Sequence, residues 1–436
     1  MTNQNQMVKD LLLWWQNSNP DLTTTAIISG SNKTLLHLAT EKGYVPIVKE
    51  LIAMGADVNS QDDNKLSPLH VASQEKHNEV MKLLLEMGAD PNVSDTENGT
   101  PLHDACENGS VEGAKILIDK GAKIKVYNRV GLTPFHLALQ NDDVDVCEFL
   151  LQKVSKLVEQ PTINKTGNYP MHTACENGNA DMVKLLIRKG SGLTMFNNLG
   201  VSPIEVAIRS GRSEIVNLIL QKNPRIIKNK NAFGLSLLHT AVLCREIDIL
   251  KELLNGGTLC VNAQTFQMKS TPLHSACRES NGSKEIVKLL LEKDAPPYIL
   301  DKNGDTPLHL AIMAKNTEIV ETIVQSRQCD LFTLNIKNKK GKTAFDLAFE
   351  DNQFHVAKII HKEIQNKVDK NEENRVRKTE KDNECLICFQ PKNGIFALQP
   401  CGHARTCENC SKKIIERSSP CPFCRKEAKN CQKIFL

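Results

Sequence analysis

The sequence predicts a mostly α-helical chain, a long array of repeated two-helix units followed by a small module organised by two metal ions. Three observations predict it. A six-residue pattern starts ten times between Thr34 and Thr343, at intervals of 33 to 37 residues. Eight of the 15 cysteines fall in the last 52 residues. Between these regions, 12 of the 18 residues from 367 to 384 are charged.

The pattern reads Thr34-Leu-Leu-His-Leu-Ala, Ser67-Pro-Leu-His-Val-Ala, Thr100-Pro-Leu-His-Asp-Ala and Thr133-Pro-Phe-His-Leu-Ala. It recurs from Tyr169, Ser202, Ser236, Thr271 and Thr306, and ends in Thr343-Ala-Phe-Asp-Leu-Ala. It has the chemistry of a helix start. A Thr or Ser hydroxyl at the N-cap accepts a backbone N–H, and Pro at the first helical position gives up a donor that has no partner there. The Leu and Ala that follow share the core-facing side. Asn108-Gly109 and Asn177-Gly178 supply helix stops, because Gly tolerates a left-handed backbone. A second helix follows in each unit, as in Val45–Ile52 and Glu285–Leu291, with apolar residues at helical spacing. Gly55-Ala56-Asp57, Gly88-Ala89-Asp90 and Gly121-Ala122 close three units, and turn-rich stretches such as Asp301 to Asp305 lead into the next.

These residues resemble ankyrin repeats, matched over 34–367. The resemblance implies antiparallel helix pairs with projecting hairpin loops, stacked into a curved solenoid in which neighbours bury each other's apolar faces. Residues 1–33, with Met7 to Trp15, are expected to form an N-terminal cap. The last copy, with Asp346 in place of His and a helix over Phe354–Ile360, is expected to cap the other end. Eight of the 12 histidines, at 37, 70, 103, 136, 172, 239, 274 and 309, occupy one repeated position a whole unit apart. In ankyrin families that His makes structural hydrogen bonds, so these are not read as metal ligands. Cys106, Cys175 and Cys277 recur at one helical position and read as small buried hydrophobes. The array contains no nucleophilic or acid–base constellation. Its irregularities are extra residues around Lys153–Thr162 and Arg278–Ser283. A solenoid binds protein through its concave face and loop tips.

Composition limits the partners. Residues 1–366 carry 40 basic and 42 acidic side chains, and aromatic residues make up 4% of the chain. That is no electrostatic or stacking footprint for nucleic acid. No apolar run approaches the length of a membrane span. The polar start, Met1 to Gln6, lacks the basic region of a secretory signal. A cytosolic or nuclear chain is expected. The stretch 368–384, with two valines and a majority of charges, reads as a charged linker, a plain spacer or at most a solvated helix continuing the last repeat.

The C-terminal module, 385–436, holds Cys385-x2-Cys388, Cys401-x-His403, Cys407-x2-Cys410 and Cys421-x2-Cys424. Seven thiols and one imidazole suit two tetrahedral zinc ions. About 50 residues cannot build an adequate core alone, so metal must supply much of the folding free energy.

With His fourth among the eight ligands, the order resembles a RING finger, covering 385–424. The resemblance implies cross-braced ligation: Cys385, Cys388, Cys407 and Cys410 on one zinc, Cys401, His403, Cys421 and Cys424 on the other. RING fingers recruit a ubiquitin-conjugating enzyme charged with ubiquitin. Ile387 and Pro422 match the family's hydrophobic contact positions for that enzyme. Arg425 matches the basic residue that bridges it to ubiquitin, a role suited to a planar fork of donors. The ending Asn430 to Leu436 is similar to the RING tail of inhibitor-of-apoptosis proteins, which share Pro400-Cys-Gly-His and Cys-Pro-x-Cys-Arg. That likeness implies a RING homodimer in which Ile434 packs and Phe435 touches ubiquitin. Cys431 lies beyond the ligand set. The whole is similar to ankyrin–RING ubiquitin ligases of the mind-bomb or plant kind. In that function the repeats hold a protein substrate and the RING supplies no nucleophile, acting through proximity. The alternative is a non-catalytic scaffold with a structural zinc and dimerisation module.

Overall fold

Thr34 opens the first described helix, Leu35–Glu41, from extended backbone. Its hydroxyl accepts the His37 N–H, and the His37 ring accepts the Thr34 N–H in return. The same reciprocal cap starts Pro68–Gln74, Pro134–Gln140 and Pro307–Met313. The computed structural model describes residues 31–255, 261–279 and 282–382, together with three C-terminal strands, so residues 1–30 of the expected cap lie outside the described residues.

Each first helix is followed by a second, as in Asn78–Glu86 after Pro68–Gln74 and Val111–Asp119 after Pro101–Glu107. Gly55, Gly88 and Gly121 end second helices at φ 90°, 92° and 91°. Nothing lies within 4 Å of where a Cβ would stand, so the left-handed turn, not crowding, calls for glycine there. The chain divides into two compact units, residues 1–276 with 285–295, and residues 277–284 with 296–436. Within the first, first helices pack on first helices and second on second. This buries Leu69 and Leu102 on one side and Leu84, Leu117 and Leu150 on the other. Each such side chain contributes about 1.5–3 kcal/mol of hydrophobic stabilisation.

The lengthened fourth unit uses its extra residues for a 3₁₀ turn, Ser155–Glu159, that buries Leu157 and Val158. A second such turn, Pro224–Lys228, buries Ile226 and Ile227. In the second unit a short helix, Leu331–Leu334, precedes Ala344–Glu350. The closing helix runs Phe354–Asp382, far past the expected Ile360 and through most of the charged segment. Val356, Ala357 and Ile360 bury its first turns. Beyond them the helix has no Gly or Pro to stop it and is rich in Lys and Glu, which lose little on becoming helical. Glu363 pairs with Lys367 one turn on at 3.1 Å. The segment read first as a plain spacer, and at most as a solvated helix, is therefore helical as far as Asp382.

The C-terminal segment forms an antiparallel sheet of β1 (Ile395–Gln399), β2 (His403–Thr406) and β3 (Asn430–Ile434), in the order β2-β1-β3. β1 meets β3 from Ile395–Ile434 to Gln399–Asn430, and its pairing with β2 shifts register between Phe396 and Leu398.

Candidate functional site

The repeated histidines hold the array together. In His136 the backbone N–H of Thr133 donates to Nδ1 at 3.1 Å, and Nε2 lies 3.0 Å from the Gln160 carbonyl. An N–H can only donate and a carbonyl can only accept, so the ring is neutral with its proton on Nε2. His37, His70, His103, His172, His239 and His309 repeat the arrangement, each Nε2 facing a carbonyl of the following turn. Both nitrogens are thereby used, which leaves no lone pair for a metal. Burial holds His103, His136 and His239 down to about 4. Cys106, Cys175 and Cys277 are fully buried, as expected of small hydrophobes, and burial pushes their thiols up, away from thiolate chemistry.

Two acids stand in for the repeated His. Glu205 Oε2 accepts from the Ser202 N–H at 2.9 Å, and its Oε1 accepts from Asn231 Nδ2 at 2.7 Å. It therefore caps its own helix and reaches the next unit, as His does. Asp346 caps through Oδ2 with Thr343, at 2.8 Å to both the backbone N–H and the hydroxyl. Hydrogen bonding from the Thr343 backbone N–H holds its carboxyl below the usual range.

The sequence reading passed over Asp104, which occupies a position held by Leu or Val in several other copies. It is buried, its Oδ1 accepts from Gln74 Nε2 at 3.1 Å, and its Oδ2 has no partner among the described residues. Burial pushes its carboxyl up to about 8. The second unit has an open recess of about 540 Å³. Arg278, Lys339 and Lys340 line it together with Leu310, Met313 and the buried Asp305.

Of the expected zinc ligands, His403 opens β2 and faces Leu398 across the pairing. Cys401 precedes that strand by two residues and Cys407 follows it directly in sequence. Cys431 and Ile434 lie in β3, opposite Leu398 and Ile395. Cys385, Ile387, Cys388, Cys401, Cys407, Cys410, Cys421, Pro422, Cys424, Arg425 and Phe435 lie outside the described residues. The donor set fits zinc on its chemistry, since thiols and an imidazole are the borderline-soft ligands that zinc takes.

A stacked helix-pair array joined to such a finger defines a repeat protein with a zinc-binding module. More particularly, the chain belongs to the ankyrin-repeat family, whose three-repeat model matches residues 1–95, 87–160, 153–230, 223–301 and 279–374. Residues 381–431 match the C3HC4-type zinc finger, or RING finger. Curated relatives match through part of the chain. Rabankyrin-5 of Mus musculus is 34% identical over 126 residues, 27% of this chain and 10% of that protein. The transient receptor potential cation channel subfamily A member 1 of Homo sapiens is 31% identical over 125 residues, 29% of this chain and 11% of the channel. The 2-5A-dependent ribonuclease of Homo sapiens is 40% identical over 83 residues, 19% of this chain and 11% of the enzyme. The chain thus spans about a tenth of the length of these relatives. Among the described residues no helix is long and apolar enough to cross a membrane.

Proposed function

We propose that this chain is a RING-type ubiquitin-protein ligase whose ankyrin repeats hold a protein substrate. The observation that carries the reading is the joining, in one chain, of an ankyrin array to a C3HC4 finger that retains Ile387, Pro422 and Arg425. A purely structural zinc module has no need of all three. Cys385, Cys388, Cys407 and Cys410 would hold one zinc, and Cys401, His403, Cys421 and Cys424 a second. Bound zinc supplies cross-links that fold the finger. Ile387 and Pro422 then offer apolar contact to a ubiquitin-conjugating enzyme. Arg425 donates to carbonyls of the enzyme and of ubiquitin together, which holds the thioester in a reactive pose. Phe435 serves ubiquitin carried by a second copy in a RING homodimer. Holding the substrate on the same chain raises its effective concentration at the RING.

The test is ubiquitin transfer by the full chain with a panel of charged conjugating enzymes, beside Ile387→Ala and Phe435→Ala. Transfer by the unaltered chain that is lost in both variants, with zinc retained, supports a tail-assisted ligase. A folded, zinc-loaded chain inert across the panel would make it the scaffold instead.

A further inference from the structure

Four hairpin turns of the first unit share one construction, and a fifth keeps half of it, the Asn128 side chain accepting the Leu132 N–H four residues on. The side chains of Asp62, Asp95, Asn197 and Asn231 each accept the backbone N–H groups two and four residues on. The residue two positions on is thereby set at the tip. Asn64 and Glu97 hold that place in two turns, so the turn itself asks for no apolar side chain. Yet Val130, Leu199 and Phe233 hold it in three others, and Ile163 and Phe266 stand out from the two irregular turns among them. All five are between 55% and 64% exposed.

The tips are tied in register. The Arg129 N–H donates to the Glu97 carbonyl at 2.7 Å, Ile163 to Gly131 at 3.0 Å, Asn198 to Thr166 at 2.9 Å and Phe266 to Phe233 at 3.4 Å. A Cβ on Gly234 would stand 2.6 Å from the Phe266 ring, so its bare backbone is what lets that ring lie across the preceding tip.

Charge changes along the same row. The turns 62–67 and 95–100 hold two acids each. The turns 128–133, 162–169, 197–202, 229–236 and 264–271 hold none, and four of these five carry a cation: Arg129, Lys165, Lys230 or Lys269. Lys230 Nζ lies 5.5 Å from the Phe266 ring centroid and donates to the Gln264 carbonyl at 2.8 Å. Arg129 pairs with Glu97 at 3.2 Å.

The geometry points to this row of tips as a partner-binding face, and to a protein segment of apolar side chains flanked by carboxylates as its occupant. Contiguous exposed apolar side chains mark interaction surfaces. Aromatic residues and Arg are enriched at protein interfaces, and Phe233, Phe266 and Arg129 stand in this row. Carboxylates on the partner complement a strip that has cations and no acids. An anionic lipid surface is drawn to clusters of free lysines and arginines, whereas here two of the four cations are already engaged. The inference takes from the proposed function only that the repeats hold a protein.

The experiment selects a phage-displayed library of random 16-residue peptides on the full chain. The selected peptides are then measured by fluorescence anisotropy against three variants. Enriched peptides should combine acidic with aromatic or aliphatic residues. Phe233→Ser/Phe266→Ser should weaken them by about tenfold or more. Lys165→Glu/Lys269→Glu, which leaves every apolar side chain in place, should weaken the acidic ones, while Phe332→Ser in the second unit should leave all of them unchanged. Failure to enrich any peptide overturns the inference, as does equal binding by the altered tips. Flotation of the chain with phosphatidylserine–phosphatidylcholine vesicles, lost in the serine variant and without peptide binding, overturns it in favour of lipid. Self-ubiquitination by the RING separates the two readings. Its absence with peptide binding intact ends the ligase reading and leaves the face standing, and the reverse ends the face alone.

Discussion

His239 illustrates what the repeated histidine does. Its Nδ1 takes the Ser236 N–H at 3.2 Å and its Nε2 gives its proton to the Ser270 carbonyl at 3.0 Å, so one ring caps a helix and ties on the next turn. His239→Ala leaves a donor and an acceptor buried without partners and should cost about 2–3 kcal/mol in urea unfolding. Burial also makes these rings pH sensors of the fold. His103, His136 and His239 sit at about 4 in the folded chain, against about 6.5 when unfolded. Their contribution is fully present above 6.5 and is lost as pH falls from there through 4. By pH 5 each has given up about 2 kcal/mol. Asp104 runs the other way. Its carboxyl is raised to about 8, so it favours the folded chain when protonated and penalises it as pH climbs toward 8. One acid offsets roughly one histidine, so the array should lose net stability between pH 7 and pH 5. Asp104→Leu should stabilise the chain, by a margin that grows with pH up to about 8. Urea midpoints at pH 5, 7 and 8.5 read both effects, and a margin for Asp104→Leu that is flat with pH would show an ordinary carboxyl.

The helices themselves were legible because their starts are chemically explicit. Thr or Ser, then Pro, then His three residues past the cap leave little freedom, and every described copy opens a helix directly after the predicted cap. Phe354–Asp382 was legible only at its beginning, where Val356, Ala357 and Ile360 mark an apolar face. The remainder has no such face, so the sequence allowed either spacer or helix, and the choice fell to local propensity and pairs such as Glu363–Lys367. The short 3₁₀ turns escaped notice because two buried residues, Leu157 with Val158 or Ile226 with Ile227, are too few to set a period. Asp104 and the apolar tips escaped for a different reason. Burial and exposure at those positions follow from stacking of neighbouring units, which the pattern within one unit does not encode. The uneven helix has a testable consequence. Ile360 is fully buried, and the helix packs on Thr317–Val324 and Leu331–Leu334. Ile360→Ala should therefore lower the stability of the second unit by about 2–4 kcal/mol. Lys370→Ala, beyond the buried turns, should change it by less than about 0.5 kcal/mol. Equal effects from the two would mean that the whole helix, and not its first turns, is anchored.

The two modules draw on different sources of stability. The array buries Leu, Ile and Val between neighbouring units, an energy with no ion in it. The finger has about 50 residues and a sheet of three short strands, so its folding free energy must come largely from metal. A chelator therefore discriminates between them. Treating the full chain with 1,10-phenanthroline should abolish ubiquitin transfer while the far-UV helical signal, which arises mainly from the repeats, and the urea midpoint of the array remain as before. The zinc released, measured with a colorimetric indicator, should reach two ions per chain. Cys388→Ser and His403→Ala should each lower it, because under cross-bracing they belong to different ions and neither set survives as a tetrahedral site with three ligands. A yield of one ion would break the cross-braced assignment. Loss of the array's helical signal along with the zinc would show that the repeats borrow stability from the finger, which nothing in their own core requires.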